Sequence, residues 1–333
     1  MDKKQPIFKT AESYQKERMF VIKKEIDKAE TISIFIHVNP DGDCIGSALA
    51  LCRQLVKMGK TASVYCDDEI PDKFNYLPYL DYIKKTSEHQ GKVDLAISVD
   101  IASLDRMGGG ISPYMSAKKQ IMIDHHVSRG KFADIALIDA HAAACGEIIF
   151  KFVQYLRGLD DEIAAMLFTA IITDTGCFQF SNTTNETLSI VQELRKFKLD
   201  PQEIIYNAFS SIGMNVFNLK QRVLNKVKFY DNNTIGIITY RKEDFEATGT
   251  NQMHTEGIIS SVRNIMGIKV AVSICETENL SWKISFRGVG DIDVSDMAAV
   301  FGGGGHKGAS GCRISGYYED VLERILKVVR DYM

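Results

Sequence analysis

The chain has 333 residues, 45% of them hydrophobic and 25% charged, with 25 Gly and 6 Pro, which is the make-up of an ordinary globular protein long enough for two domains. A formal net charge of −3 excludes a protein that grips long duplex nucleic acid through many phosphate contacts, but leaves room for a local cationic pocket that takes a small anion. No run of about 18 apolar residues is present and the first residues lack the apolar core of a signal peptide, so no membrane association and a cytoplasmic location are expected. In chain order, "TISIFIHV" (31–38) reads as a buried strand, residues 44–59 as a helix stopped by Gly59, and "TASVYC" (61–66) as a second strand. "VDLAISVD" (93–100), "QIMID" (120–124) and "DIALID" (134–139) are further strands, followed by helical patterns at 145–158 and 161–173. Strands that alternate with helices predict an α/β domain with a mostly parallel sheet. Amphipathic helical patterns at 186–200 and 204–230 predict a connector. A second, smaller α/β pattern follows, with strands at 234–240, 269–276 and 282–288, helices at 256–267 and 293–302, and a terminal helix at 318–333. The expected division is a first domain at 1–184, a helical linker at 185–230 and a second domain at 231–333.

In parallel α/β sheets ligands gather at the carboxyl ends of the strands, and there this sequence keeps its acids and histidines. His37, Asp41 and Asp43 stand at and after the first strand end, Asp100 closes another, and Asp124, His125 and His126 close a third. Asp174 follows the apolar helix. Each aspartate taken singly reads more readily as a helix cap or loop acid, whereas a shared metal site accounts for all of them together. Carboxylates and imidazoles without thiolates suit a borderline-hard divalent ion such as Mn²⁺, and two such ions would clamp the attacking and leaving oxygens of a phosphoryl displacement. The adjacent histidines divide the labour, one on metal and the other toward substrate. The seven cysteines show no C-x-x-C pair and no zinc spacing, so free thiols in a reducing compartment are expected. "FGGGGHKGASG" (301–311) reads as an anion-binding nest of backbone N–H groups or as a flexible loop. Arg287 and Arg106 read as phosphate ligands or as ordinary ion-pair residues, and Arg106, six residues beyond Asp100, stands on the expected active-site edge as a candidate substrate-binding residue.

His37-x-x-x-Asp41-x-Asp43, Asp100, the Asp124-His125-His126 triplet and Asp174 resemble, in order and spacing, the four motifs of the DHH phosphoesterase superfamily, and "GGGGHKGASG" resembles the glycine-rich motif of its DHHA1 C-terminal domain. The resemblance covers nearly the whole chain. It implies a phosphoesterase using a water activated by two Mn²⁺ ions, with Mg²⁺ or Co²⁺ as substitutes, and an active site in the cleft between two domains. By position, His37, Asp41 and Asp100 would hold one ion, and Asp43, Asp100, His125 and Asp174 the other. His126 would face the scissile phosphate and Asp124 would orient the histidine pair. Arg287, Gly303, Gly304, Gly305 and His306 would bind a nucleotide's phosphate or base from the second domain. Cys177 and Gln179 stand where relatives often carry a small hydroxyl residue and an arginine.

Within the superfamily the two-domain form is similar to bacterial oligoribonucleases that also dephosphorylate 3′-phosphoadenosine-5′-phosphate. Short oligoribonucleotides and small nucleotides are therefore the expected partners, with a homodimer as the default assembly. Phosphodiesterases of linear or cyclic dinucleotides such as pApA and cyclic-di-AMP form the alternative among enzymes. A non-catalytic nucleotide-binding protein is the alternative from another class.

Overall fold

The computed structural model describes residues 11–126, 132–278 and 280–333. The chain divides into two packing units, with the boundary between Ser211 and Ile212.

In the first unit, α1 (Ala11–Lys28) precedes β1 (Thr31–Phe35), α2 (Gly42–Lys57), β2 (Thr61–Tyr65), β3 (Ile83–Lys84) and β4 (Leu95–Val99). Then come α3 (Ile111–Ser116), β5 (Gln120–Asp124), β6 (Ile135–Ile138), α4 (Cys145–Tyr155), α5 (Asp161–Asp174), α6 (Asn185–Leu194) and α7 (Pro201–Ile205). The strands form one parallel sheet in the order β3-β2-β1-β4-β5-β6. Every residue of β4 is buried, as expected of a strand covered on both faces. The larger core joins the sheet to α1, α2, α4 and α5 through residues such as Ile34, Leu49, Ile97, Ile149 and Leu167. A second cluster of Phe35, Tyr65, Met107 and Tyr114 fills the opposite side.

The order of the strands matters for function. The chain runs outward from β1 to β2 and β3, then returns to the other side of β1 and runs outward again through β4, β5 and β6. The sheet therefore has a switch point between β1 and β4, where the loops after the two strands part and leave a crevice. The loop after β1 carries His37 and Asp41, and the residue after β4 is Asp100. Helix α2 lies close against α5 because Gly46 has no side chain. A Cβ there would meet the Met166 carbonyl oxygen and come within 3.1 Å of the Ala170 nitrogen. That close packing carries Asp43, in the first turn of α2, toward Asp174 at the end of α5.

The second unit holds α8 (Met214–Leu224), β7 (Lys228–Tyr230), β8 (Ile235–Tyr240), α9 (Lys242–Thr248), α10 (Ile258–Arg263), β9 (Val270–Glu278) and β10 (Ser281–Gly288). It ends with α11 (Val294–Ala299), β11 (Gly304–His306), β12 (Ala309–Ser315) and α12 (Tyr318–Asp331). Its sheet, ordered β11-β12-β10-β9-β8-β7, is parallel only between β8 and β9. One face packs on α11 and α12 through Val272, Ile284, Phe286, Val294 and Ile325. The β8 and β9 half of the other face packs on α8, α9 and α10 through Leu219, Ile238, Tyr240, Phe245 and Val262.

Two local expectations change. The pattern at 204–230 is not one helix: α7 gives way to a wide turn at 206–210, Gly213 stands in extended backbone as the cap of α8, and 228–230 pairs with β8. Tertiary pairing overrides the helical period there. The helical segments at 185–230 are also shared between the units, with Ile190, Leu194 and Ile204 in the first core and Leu219 and Val223 in the second. No helix among the described residues is long and apolar enough to cross a membrane. All seven cysteines are free thiols.

Candidate metal centre

Asp41 is the N-cap of α2. Its Oδ1 accepts from the backbone N–H groups of Asp43 and Cys44, both at 3.1 Å, while Oδ2 lies 3.6 Å from His37 Nε2. Asp43 is almost fully buried. Its Oδ2 accepts from Cys145 N at 2.6 Å, and its Oδ1 from Gly146 N at 2.9 Å and Ser47 Oγ at 3.0 Å. The two backbone donors are unpaired N–H groups at the start of α4, so the helix end fixes this carboxylate. Gly146 is needed for that approach, because a Cβ on it would come within 2.7 Å of Ala170 Cβ.

Asp100 occupies the centre. It is buried and left-handed, with φ +60, an unfavourable conformation for a residue with a side chain that costs about 1–2 kcal/mol. Its Oδ2 is 3.7 Å from His37 Nε2 and its Oδ1 is 3.5 Å from both His125 Nε2 and His126 Nδ1. Among the described residues no hydrogen bond reaches Oδ1. His125 donates from Nδ1 to the Ala142 carbonyl at 3.2 Å, which leaves the lone pair on Nε2. That Nε2 faces Asp174 Oδ2 at 3.6 Å and Asp43 Oδ2 at 3.8 Å, besides Asp100.

Asp124, fully buried at the end of β5, accepts at Oδ1 from the backbone N–H groups of His125 (2.8 Å) and His126 (3.2 Å) and from His126 Nδ1 (2.9 Å). The His37 ring has Nδ1 2.9 Å from the Val38 carbonyl and 2.9 Å from Arg106 Nη2. The first contact needs a proton on Nδ1 and the second needs its lone pair, so they alternate. Only the first leaves Nε2 able to bind a cation. Arg106 thus reaches the His37 ring.

The separations of 3.5–3.8 Å between imidazole nitrogens and carboxylate oxygens are too long for hydrogen bonds and short enough for the paired atoms to share a cation. Among the described residues, three groups of ligand atoms lie within 4.8 Å of one another: His37, Asp41 and Cys44; Asp100, His125 and His126; and Asp43, His125 and Asp174.

The electrostatics call for positive charge. Burial raises the Asp43 pKa well above the carboxylate range, and repulsion from Asp100, Asp174 and Asp41 adds to it. Burial also lifts Asp174 to about 7, opposed by His125 and reinforced by Asp100 and Asp41. Enclosure acts to raise Asp41, but the His37 imidazole, the Cys44 N–H and Arg106 outweigh it and hold that carboxyl low. Burial by itself would lower His37 and His126. Cys44, followed by the carboxylates of Asp100 and Asp41, outweighs it for His37, and Asp124 and Asp100 do so for His126, so both imidazoles are raised. Five carboxylates, with Asp100 Oδ1 at their centre and Asp124 Oδ2 behind it buried and without a hydrogen-bond partner among the described residues, fit a pair of divalent cations. Cys44 adds a sulfur beside His37 that sequence reasoning does not single out. Its thiol donates to the Asp41 carbonyl and burial pushes its pKa up, so it is a neutral thiol in the metal-free chain.

The remaining candidates belong to the second unit. Strand register aligns Arg287 of β10 with Ala309 of β12, and Ala309 with His306 of β11, so the arginine and the histidine share a face across one small residue. The glycines do not form the expected nest. The N–H groups of Gly302 and Gly303 donate to the Ala299 and Ala298 carbonyls and stop α11, while Gly304, Gly305 and His306 pair with β12. Glycine is required because a Cβ on Gly303 would come within 2.5 Å of Cys312 Cβ, and one on Gly305 within 2.5 Å of Ser310 Cα. Arg287 donates to its neighbour Phe286's carbonyl at 2.9 Å, and burial together with Arg263 lowers its pKa.

Comparison with known proteins falls on the same frame. Residues 31–171 match the DHH family N-terminal domain, and residues 236–333 match the DHHA1 domain. The chain is a DHH–DHHA1 protein. This DHH–DHHA1 protein is 28% identical over 309 residues, 91% of its length and 95% of the relative's, to the bifunctional oligoribonuclease and PAP phosphatase NrnA of Bacillus subtilis. It is 29% identical over 326 residues, 95% and 94% of the two chains, to the protein of the same name from Thermus thermophilus. Among solved structures it is similar to an exopolyphosphatase-related protein from Bacteroides fragilis, at 25% identity and a TM-score of 0.88, covering 95% of this chain and 96% of that one. The expected family, the α/β fold class and the enzymatic character are borne out for this DHH–DHHA1 protein.

Proposed function

We propose that the chain is a Mn²⁺-dependent phosphoesterase that hydrolyses short oligoribonucleotides to nucleoside 5′-monophosphates, and 3′-phosphoadenosine-5′-phosphate to AMP and phosphate. The observation that carries this reading is Asp100. Its carboxylate is buried, one oxygen faces His37, and the other faces His125 and His126 without a hydrogen-bond donor among the described residues. A buried oxygen in that state is costly unless a cation takes it.

The reading gives one ion to His37, Asp41 and Asp100, and the second to Asp43, Asp100, His125 and Asp174. Mixed carboxylate and imidazole ligands favour Mn²⁺, with Mg²⁺ or Co²⁺ as substitutes. When bound, the ions neutralise charge on a phosphoryl group and acidify coordinated water.

The side chains supply position and protons. Asp124 accepts the Nδ1 proton of His126 and so fixes the ring with Nε2 as its second donor, suited to a phosphoryl oxygen. Arg287 and His306, on either side of Ala309, suit a phosphate or base, and Gly304, whose Cβ position is open, lets a ligand approach the strand edge. The substrate class is supported by the two NrnA relatives, whose names describe an oligoribonuclease and a PAP phosphatase. Free thiols support a reducing, cytoplasmic setting, and a homodimer is the default assembly.

The test is hydrolysis, with Mn²⁺ and after chelation, of a 5′-phosphorylated RNA dinucleotide, 3′-phosphoadenosine-5′-phosphate and cyclic-di-AMP side by side. Mn²⁺-dependent turnover of the first two alone is expected. Comparable cleavage of the cyclic compound would move the protein to the cyclic-dinucleotide phosphodiesterases, and no turnover of any would overturn the reading.

A further inference from the structure

Beyond Asp174 lies a segment that the chemistry above leaves unused. Gly176, Cys177 and Phe178 all have positive φ, of +55, +54 and +67, so the chain makes a left-handed turn in which two of three residues carry side chains. Hydrogen bonds hold the turn from inside. Cys177 N donates to the Ile172 carbonyl at 2.7 Å, Phe180 N to the Thr175 carbonyl at 3.0 Å, and Phe178 N to Thr175 Oγ1 at 3.3 Å.

Asn182 then closes it from outside. Its Nδ2 donates to the Asp174 carbonyl at 3.1 Å and to the Ala143 carbonyl at 3.0 Å. One amide nitrogen has the two protons this requires. The Asp174 carbonyl is among the last of α5, for which the helix itself offers no donor. Ala143 sits in a short stretch that sets two other candidate ligands through backbone groups alone. The Ala142 carbonyl accepts from His125 Nδ1, and Cys145 and Gly146 donate to Asp43. The Asn182 side chain is therefore a direct tie between the helix end that carries Asp174 and the loop that orients His125 and Asp43.

We propose that Asn182 is a positioning residue for the cation held by Asp43, His125 and Asp174, a role that rests on the metal reading above. It acts through the two carbonyls and touches neither ion nor substrate. Aspartate of the same shape would bring no N–H and would set its oxygens against both carbonyls, and alanine would leave them to water. Asn182 lies at the surface, so its replacement opens no cavity in the core. A ligand frame left loose in this way binds its ion roughly ten- to a hundredfold more weakly, as when other partners of metal ligands are removed.

Mn²⁺ titration of the full chain, followed by the paramagnetic resonance signal of the free ion, tests the role in the wild type and in Asn182→Ala, Asn182→Asp, Asp174→Ala and His37→Ala. Two ions are expected in the wild type. In both Asn182 variants one ion weakens by roughly ten- to a hundredfold, the one lost in Asp174→Ala and kept in His37→Ala, while the other ion and the melting temperature of the metal-free chain hold. Asn182 variants that bind both ions like the wild type, or that weaken both alike, overturn the role and leave the metal reading standing. A wild type that takes up no Mn²⁺ overturns the metal reading itself.

Discussion

Removal of metal should make this chain less stable as the pH rises from acid to neutral, the reverse of what most paired carboxylates produce. Asp174 carries the argument. Its pKa is lifted from the ordinary 3.8 to about 7, chiefly by burial. Between those values the folded chain keeps a proton that the unfolded chain has released, so every rise in pH through that window costs stability, and the loss is complete once the pH passes the folded value. At full weight the shift is about 4 kcal/mol. The Asp174 side chain is 33% exposed, so screening by water reduces this to about 2 kcal/mol, or about 4–8 °C in melting temperature for a unit of this size. Asp43 and Glu147, both raised by burial, act in the same direction. So do His37 and His126, whose raised imidazolium forms stabilise the fold and are lost as pH climbs through their folded values. Carboxylates that the fold lowers, such as Asp160 and Asp244, finish titrating at acid pH and contribute little above about pH 5.5. His89, lowered by burial, opposes the trend, gaining stability as the pH rises toward its unfolded value. Circular-dichroism melting of chelator-treated protein should show the melting temperature falling from pH 5.5 to pH 8.0. Saturating Mn²⁺ should abolish the fall, because the ions replace the protons, and Asp174→Asn should reduce it. A metal-free melting temperature that is flat or rises over this range, or a fall of the same size in Asp174→Asn, would refute the reasoning.

His126→Ala should lower kcat by roughly a hundredfold or more while the number of bound Mn²⁺ ions stays the same, and turnover close to wild type would remove His126 from its assigned role. Gly146→Ala would set a methyl 2.7 Å from Ala170 Cβ. Urea unfolding should register a loss of about 1–3 kcal/mol from overpacking, accompanied by weaker Mn²⁺ binding because the N–H groups that hold Asp43 move. Arg287→Ala should raise KM for an RNA dinucleotide by roughly tenfold with a smaller change in kcat. Arg287→Lys should restore only part of the loss, since an ammonium cannot reproduce the planar fork, and steady-state kinetics with an unchanged KM would exclude Arg287 from substrate binding.

How much of this was readable in the sequence depends on whether a feature lives in side chains or in backbone. The sheet was legible because apolar runs of five to eight residues that end in an acid or a histidine are seldom anything but buried strands, and Asp100 and Asp124 stand where those runs predict. Asp41 shows that two readings of one residue need not compete, since Oδ1 caps α2 and Oδ2 faces His37. The glycine stretch was misleading for a physical reason. Freedom at φ and the lack of a side chain serve an anion nest, but they serve equally a helix stop and a close strand pairing, and the latter two are what Gly302, Gly303 and Gly305 do. Arg106 was placed near the site from its spacing after Asp100, yet its contact with the His37 ring could not be read from spacing.

Least legible of all was the stretch from Ala142 to Gly146. It fixes His125 through a carbonyl and Asp43 through two N–H groups. Any residue supplies a carbonyl and nearly any an N–H, so such a role leaves no mark on composition, and Asp43 and Cys145 lie 102 positions apart. The one signal available was negative: a small residue at each position from 142 to 146 just before an apolar helix, where nothing bulkier than a thiol intervenes between backbone and ligand. Small side chains let α4 begin hard against the strand ends, and that closeness turns ordinary peptide groups into the frame of the candidate metal site.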